Sequence, residues 1–185
     1  MDHYLEIRLL PDPEFPPNVL MNALFSKLHR ALALHGHGNI GVSFPDTGKT
    51  GLGSRLRLHG SAVTLHEFMA QDWLPGMRDH TLLGDIAPVP PAATQRVVRR
   101  VQAKSNPERL RRRQISRKGM SEEQAREVIP DHAVERLNLP FLVLNSRTTG
   151  QQFRLFVEHM PERGLPIAGK FSAYGLSATA TIPWF

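Results

Sequence analysis

Residues 4–34 read YLEIRLLPDPEFPPNVLMNALFSKLHRALAL, and they decide the fold because they join a strand to a helix through one short turn. The alternation of apolar and polar residues from Tyr4 to Leu10 predicts the strand. The Pro-rich turn ends at Pro16 and Pro17, either of which is suited to open a helix. From Asn18 to about Leu34 the apolar residues keep helical spacing, which predicts a helix with one face on a core. That face consists of Leu20, Leu24, Leu28 and Ala31.

The segments after this helix complete a β-α-β-β-α-β order over about 87 residues. Second, third and fourth strands are predicted at Gly38–Phe44, Arg55–Gly60 and near Leu82–Ile86, and a second helix at Ser61–Met69. This order is that of the ferredoxin-like fold, a split β-α-β unit. RNA-recognition modules share the architecture, but so do many unrelated proteins, so the fold alone indicates little about function.

The Pro- and Ala-rich stretch PVPPAAT, residues 88–94, predicts a domain boundary. We therefore expect an α+β protein with an N-terminal ferredoxin-like (RRM-like) domain, residues 1–93, and a smaller α/β C-terminal region, residues 94–185. The predicted elements of the second region are an arginine-rich helix from Pro107 capped by Ser105 or Asn106, a helix capped by Ser121, a β-hairpin formed by FLVLNS and QQFRLFVEHM, and a C-terminal strand and loop packed on that hairpin.

The positive charge of the chain is concentrated in the segment from Arg96 to Lys118, RVVRRVQAKSNPERLRRRQISRK. It contains 10 of the 23 basic residues and one of the 17 acidic residues, so its net charge is +9. The other 162 residues have a net charge of −3, although the whole chain is at +6. Such a concentration favours an anionic polymer, above all a nucleic acid, as the partner. The alternative is a solvated basic face or a sorting signal.

The predicted helix over residues 107–118 has no apolar stripe, because Leu110 and Ile115, its only apolar side chains, do not share a face. Its arginines can make forked contacts to phosphates and to guanine edges. This pattern does not distinguish DNA from RNA, but an RNA target would be a short stem with an open end, since long A-form major grooves are closed to side chains. One side of the helix carries Arg109, Arg112, Arg113, Ser116 and Arg117, and the other carries Arg111 and Lys118.

Several classes of protein are excluded by what the sequence lacks. Without cysteine there is no disulfide, no thiolate metal site and no thiol catalysis. There is no apolar run near the length of a membrane span, and the N-terminus lacks the features of a signal peptide, so we expect a cytoplasmic protein with no membrane partner. The tripeptide Gly48–Thr50 resembles part of a phosphate-binding loop, but Ser43 stands where that motif requires glycine. A nucleotide hydrolase with this loop is therefore excluded.

No metal or other cofactor is expected. His35 and His37 could offer two imidazoles, but no third ligand is near them in the sequence, and the carboxylates are not clustered as in two-metal nucleases. A nuclease of this composition would therefore act without metal. RNA permits this, because its 2′-hydroxyl is a built-in nucleophile that needs only a base, and imidazole is suited to that role. His29 lies one position off the apolar stripe, where a histidine more often has a structural role than a catalytic one.

Five stretches together resemble the CRISPR repeat-processing endoribonuclease of type I-F systems, and the similarity is colinear from the first residue to the last. They are MDHYLEIRLLPDPEFPP, the helix with His29, GVSFP, RVQAKSNPERLRRR and the ending YGLS…PWF. The resemblance implies an enzyme, monomeric when free, that binds the hairpin of the CRISPR repeat transcript and cleaves at the 3′ base of the stem without metal. It also implies that the enzyme stays on the product beside other subunits of the type I-F surveillance complex.

The same resemblance implies the roles of individual residues. His29 matches the catalytic histidine, as base or acid, Ser146 the serine that holds the 2′-hydroxyl, and Tyr174 the tyrosine that orients the histidine. Thr148 and Thr149 offer other hydroxyls near Ser146. Ser116 stands where another basic residue would be expected. The implied RNA contacts are Arg100 and Gln102 at the foot of the stem, Phe153 under the terminal base pair, and Arg109, Arg112, Arg113, Arg117 and Lys118 along the major groove.

Two other functions fit the same sequence features. A non-catalytic hairpin-RNA-binding subunit of a ribonucleoprotein would bind the hairpin and leave it uncut. A regulator of duplex DNA would use the same basic segment on another nucleic acid, with affinity that falls as salt rises.

Overall fold

The computed structural model describes residues 1–48, 51–102, 107–130, 137–146 and 150–185 of the 185-residue chain. The chain forms two compact units, Met1–Arg100 with Leu139–Phe185, and Val101–Asn138. The first unit includes residues from both ends of the chain because the C-terminal strands and loops pack on the N-terminal half. These limits differ from the predicted boundary at residues 93 and 94, which stays a prediction.

The predicted ferredoxin-like order is confirmed in the first unit. The sheet order is β2-β3-β1-β4, and each neighbouring pair is antiparallel. Helices α1 and α2 connect β1 to β2 and β3 to β4, which is the connectivity of a split β-α-β unit. A fifth strand, β5 (Ala87–Pro88), also pairs with β1. The other elements are β1 (His3–Leu9), α1 (Pro17–His35), β2 (Gly41–Ser43), β3 (Arg55–Gly60), α2 (Ala62–Met69) and β4 (Thr81–Leu83).

The predicted amphipathic pattern of α1 accounts for the main core. Pro16 is the N-cap of the helix and Pro17 its first residue, a position where the missing N–H has no cost. All four residues of the predicted stripe are buried, as are the alternating Leu5, Ile7 and Leu9 of β1. These two sets belong to one hydrophobic cluster, so α1 is fixed on the sheet and the position of each of its side chains is fixed with it.

A second sheet, all of which except Val101 belongs to the first unit, has the order β7-β9-β8 and contains the predicted hairpin. Its strands are β7 (Val98–Val101), β8 (Phe141–Asn145) and β9 (Gln152–His159). In the hairpin Asn145 lies opposite Gln152. Strand β8 is attached to α1, because the Val143 N–H donates a 2.9 Å hydrogen bond to Oδ1 of Asn22.

The C-terminal strand contacts the predicted hairpin and also pairs with a strand that the sequence did not predict. Trp184 of strand β10 (Ile182–Trp184) lies against His159 of β9, with ring centroids 5.3 Å apart. The backbone of β10 pairs with β6 (Thr94–Arg96). The reason is a close approach to β2, where Gly41 leaves room for the buried Ile182 and a side chain would overlap it. The tail is therefore part of the core of the first unit.

The second unit contains α3 (Pro107–Lys118) and α4 (Glu122–Val128), which pack on each other. Ser121 caps α4 in a capping box with Gln124. Although α3 has no apolar stripe, its half-buried residues share one side. The aliphatic stem of Arg111 supplies part of this side, while its guanidinium donates to the Ile129 carbonyl at 2.8 and 2.6 Å. The half-buried residues are Pro107, Leu110, Arg111, Gln114 and Ile115.

The predicted caps Ser105 and Asn106 of α3 lie outside the described residues. In the described part of the chain, none of the helices combines the length and the apolar character that crossing a membrane requires.

Candidate active site

His29 lies in the second half of α1, half-buried beside the apolar stripe. Its Nδ1 is 2.9 Å from the backbone carbonyl oxygen of Ala173. A carbonyl oxygen can only accept a hydrogen bond, so this contact is a hydrogen bond only in the tautomer with the proton on Nδ1. In the neutral ring Nε2 is then the nitrogen with a free lone pair. The local geometry thus prepares one nitrogen of His29 to accept a proton.

The structure brings His29 and Tyr174 together. Their rings are stacked, with centroids 4.1 Å apart and planes 10° apart. The Tyr174 ring is also parallel to that of Phe25, one helical turn before His29, at 6.5 Å and 2°. Such aromatic contacts restrain the plane of the imidazole. That Tyr174 orients His29 for catalysis stays a prediction.

Tyr174 is held by a short turn. The Gly175 N–H donates to the Ser172 carbonyl at 2.8 Å, and the Ser172 N–H donates to the Leu176 carbonyl at 2.9 Å. With Gly175 in the left-handed region at φ 68°, this is a three-residue hairpin loop of the kind that requires glycine at that position. The Val42 N–H donates to the Gly175 carbonyl at 2.8 Å and so fastens the turn to β2.

Arg100 extends the site with a positive charge. Its guanidinium carbon lies 5.4 Å from the ring centroid of Tyr174 and 5.8 Å from that of Phe153, within the range of cation–π attraction. No carboxylate in the described part of the chain pairs with Arg100, whereas the neighbouring Arg99 donates from Nε to Glu158 at 2.8 Å. We call His29, Tyr174, Arg100 and Phe153 the His29 cluster. Sequence spacing did not indicate this stacking of Arg100 on two rings.

Phe153 lies on β9 opposite Leu144 of β8, and it is partly buried against the core. It therefore has two neighbours of different kinds, the apolar core and the exposed guanidinium of Arg100. The predicted stacking of Phe153 on a base pair stays a prediction.

Ser146 directly follows β8, in the same unit as His29. Its N–H donates to the Gln151 carbonyl and its carbonyl accepts from the Gly150 N–H, both at 2.8 Å. These bonds close the loop of the hairpin, whose strand β8 is fixed on α1 two turns before His29. The alternative hydroxyls of Thr148 and Thr149 lie outside the described residues. The role of Ser146 on the 2′-hydroxyl stays a prediction.

In the second unit, the predicted basic side of α3 is exposed. Arg112, Arg113 and Arg117 are exposed, as are Ser116 and Lys118, and the side chain of Arg109 lies outside the described part. Arg112 has only a long contact with Glu108, 3.8 Å between two side chains that are each more than 70% exposed. Such exposed pairs contribute little to stability and are easily exchanged for a phosphate. Gln102, near the start of this unit, is also exposed.

Two other histidines that sequence analysis did not single out lie in the first unit, His59 fully buried and His159 half-buried. His59 contacts the Ser43 hydroxyl at 2.8 Å through Nε2, and burial together with the charge of Arg57 lowers its pKa to about 3. Burial, with a smaller effect of Arg96, lowers the pKa of His159 to about 4. Both are therefore neutral at physiological pH, which suits core residues. A sequence alone does not separate such histidines from a catalytic one.

The structure also bears on the His35 and His37 pair. His35 is the last residue of α1, and His37 lies in the following turn with a positive φ of 48°. Within the described ranges, no three His, Asp or Glu side chains come together as a group that could hold a metal ion.

Comparison with known proteins gives consistent matches over the whole chain. A family model described as "CRISPR-associated protein (Cas_Csy4)" matches residues 4–185. A protein of Pseudomonas aeruginosa (strain UCBPP-PA14) named "CRISPR-associated endonuclease Cas6/Csy4" is 54% identical over 187 residues, with 100% of both chains covered. A protein of the same name from Escherichia coli (strain UTI89 / UPEC) is 52% identical over 185 residues, again with 100% of both covered. The resemblance seen in the sequence is thereby confirmed, and the chain belongs to the Cas_Csy4 family of CRISPR-associated proteins.

Proposed function

We propose that this protein is a metal-independent endoribonuclease of the cytoplasm that cleaves CRISPR precursor RNA at the 3′ base of the repeat hairpin. Its relatives are named CRISPR-associated endonucleases, which supports the general activity. The observation that carries the proposal is the His29 cluster, in which a half-buried imidazole is held by a carbonyl and a stacked ring beside an exposed arginine.

In the proposed reaction, Nε2 of His29 removes the proton of the 2′-hydroxyl beside the scissile phosphate. The 2′-oxygen then bonds to phosphorus while the bond from phosphorus to the 5′-oxygen breaks. The 5′-oxygen takes up a proton from water, and His29 returns the proton that it removed to the solvent. The products are a 2′,3′-cyclic phosphate on the stem and a 5′-hydroxyl on the downstream piece. Ser146 holds the 2′-hydroxyl in line, and this orientation supplies much of the rate.

Arg100 has two properties that suit it to bind RNA and to assist its cleavage. Its guanidinium contacts the rings of Tyr174 and Phe153 through cation–π attraction, which leaves its N–H groups available for a guanine edge or a phosphate. Its charge also lies next to the ring that stacks on His29, where it would stabilise the charge that develops on the phosphate. In this proposal Arg100 and Gln102 set the register, and Phe153 stacks on the base of the stem.

The exposed basic side of α3 would bind the hairpin stem through its phosphates and groove. Charged contacts of this kind supply most of the affinity and make it depend on salt. Tight binding through α3 is consistent with retention of the product, as a part of the type I-F surveillance complex with its other subunits, by a protein that is monomeric before it binds RNA.

The decisive experiment measures cleavage of the repeat hairpin RNA in excess chelator, beside a matched RNA with a single 2′-deoxy nucleotide at the scissile position. We expect cleavage of the first RNA, with a cyclic phosphate on the upstream product, and none of the second. Cleavage of the deoxy substrate would rule out the proposed nucleophile, and loss of activity in chelator would rule out metal independence. If both RNAs are bound and neither is cut, the protein is the non-catalytic hairpin-binding subunit instead.

A further inference from the structure

We propose that the backbone carbonyl of Ala173 and the left-handed conformation of Gly175 are positioning elements that select the Nδ1–H tautomer of His29. Nε2 is then the atom that takes the proton of the 2′-hydroxyl. The catalytic consequence rests on the proposed function, but the tautomer is a property of the free protein and can be measured without RNA.

The stacked ring of Tyr174 cannot select the tautomer by itself. Stacking at 4.1 Å fixes the plane of the imidazole, but a stacked neighbour contacts the face of the ring and does not distinguish its two nitrogens. The Ala173 carbonyl distinguishes the two nitrogens. It lies 2.9 Å from Nδ1 and can accept a hydrogen bond only from a protonated nitrogen, so it favours the tautomer with the proton on Nδ1. The two contacts together fix both the plane of the ring and the nitrogen that carries the proton.

Both contacts come from one turn, and Gly175 determines the shape of that turn. With φ at 68°, Gly175 has a conformation that other residues rarely adopt. A side chain at this position would also overlap the buried Val42, whose N–H donates to the Gly175 carbonyl at 2.8 Å. The turn therefore lies close against β2 only if residue 175 is glycine. The Ala173 carbonyl and the Tyr174 ring then face His29 at the same time.

The Tyr174 hydroxyl has no part in this arrangement. Among the described residues it makes no hydrogen bond, and the tyrosine acts on His29 through its ring and through the backbone of its turn. The selection of the tautomer is thus a property of the turn, and the residue that determines it is Gly175, which does not touch the imidazole.

The first test is a long-range ¹H–¹⁵N correlation spectrum of the ¹⁵N-labelled protein without RNA, at a pH where the His29 ring is neutral. His29 is assigned by comparison with His29→Gln. We expect a protonated Nδ1 and an unprotonated Nε2. A protonated Nε2 overturns the proposal, whether or not the protein cleaves RNA.

The second test is Gly175→Ala, compared with Gly164→Ala as the matched control. Gly164 has open space where the added methyl group would lie, and its φ is not positive. For Gly175→Ala we expect a mixture of His29 tautomers and a single-turnover cleavage rate about 100-fold lower, as for an angstrom-scale displacement of a catalytic group. Hairpin affinity should stay unchanged, because the basic side of α3 is not altered. Gly164→Ala should match the wild type in all three measurements.

A fall in rate without a change of tautomer would contradict the proposal, since it would show that Gly175 acts in another way. If Gly175→Ala does not fold, the double variant Val42→Ala with Gly175→Ala removes the closest overlap, that with Cγ2 of Val42, and keeps the strained backbone, and the same shift of tautomer is expected. An unshifted tautomer in the folded double variant also overturns the proposal. If the wild type has the expected tautomer and cuts no RNA, the proposed function fails while the selection of the tautomer stands.

Discussion

The imidazole of His29 and the ring of Tyr174 lie face to face, 4.1 Å between centroids and 10° from parallel. The two residues are far apart in the chain, one on α1 and one in a turn near the C-terminus. The stacking therefore exists only when the N-terminal half and the C-terminal tail have folded together. The geometry of the site therefore depends on the folding of the whole first unit.

The first prediction concerns the histidine. His29→Ala should lower the single-turnover cleavage rate by about 100-fold to 10,000-fold, the usual contribution of general acid–base catalysis. Hairpin affinity, measured by filter binding, should be retained because the arginines of α3 are unchanged. His66→Ala is the matched control, since His66 is an exposed histidine of α2. Equal cleavage by His29→Ala and His66→Ala would exclude the catalytic role.

The second prediction ranks two changes of Tyr174. Tyr174→Phe keeps the ring that stacks on His29 and on Phe25, whereas Tyr174→Leu removes both contacts. The Leu variant should therefore lose more, with a cleavage rate lower by about tenfold to 100-fold because the imidazole is less well oriented. Rates of both variants on saturating hairpin RNA test this order. A greater loss in the Phe variant would mean that the hydroxyl, and not the ring, is the important group.

Local patterns in the sequence were sufficient to predict the order of elements in the ferredoxin-like part of the first unit. Strand β3 has the predicted bounds, Arg55–Gly60. Its period-2 alternation and the cap of the following helix at Ser61 are both short patterns of neighbouring residues, which a sequence shows directly. Strand β2 begins later than predicted, at Gly41, because His37 and Gly38 form a left-handed turn that no strand can contain. The element order was therefore predictable, whereas this boundary depended on backbone conformation.

Contacts between distant residues were not predictable in the same way. The pairing of β10 with β6 depends on the close approach of Ile182 to Gly41, which no local pattern contains. The half-buried side of α3 was missed because a sequence pattern counts Arg111 as a charged residue. Its aliphatic stem can nevertheless be buried while its guanidinium makes a hydrogen bond. The contact between His29 and the Ala173 carbonyl was missed because every residue has a backbone carbonyl. No residue type in the sequence therefore marks this one.

The third prediction separates two neighbouring arginines of β7. Arg100→Ala should weaken hairpin binding by about 1–3 kcal/mol, the value of a good arginine–guanine contact, because its N–H groups are available to RNA. Arg99→Ala should have a smaller effect, since the Arg99 guanidinium is already bound to Glu158 at 2.8 Å. Binding titrations of both variants at one salt concentration provide the comparison. Equal losses of hairpin affinity would show that Arg99 contacts RNA in spite of its ion pair with Glu158.

The fourth prediction concerns the salt dependence of binding. Each of Arg112→Gln, Arg113→Gln and Arg117→Gln should reduce the slope of log affinity against log salt by about 0.7 to 0.9, the effect of losing one phosphate contact. Arg111→Gln is the control, because that guanidinium donates to the Ile129 carbonyl within the second unit. It should leave the slope unchanged and lower the stability of the α3–α4 pair. A change of slope only in Arg111→Gln would contradict the assignment of the basic side.

The fifth prediction concerns stability in mild acid. In the folded protein the pKa values of His59 and His159 are about 3 and about 4, below the usual 6.5, because both rings are buried. Well above pH 6.5 the rings are neutral in both the folded and the unfolded chain, so they cause no pH dependence there. As pH falls below 6.5 the unfolded chain binds protons that the folded chain excludes, and the free energy of unfolding decreases.

Each histidine should contribute a slope of about 1.4 kcal/mol per pH unit until the pH reaches its folded pKa. The measurement is urea denaturation at several pH values between 6.5 and the folded pKa of about 4 of His159. The upper part of this range isolates the histidines, because the carboxylates with lowered pKa values, such as Glu6 and Asp46, titrate at lower pH. His159→Gln should show about half the slope of the wild type in that range, since one of the two groups is gone. A free energy of unfolding that stays constant there would show that these rings are accessible to protons in the folded protein.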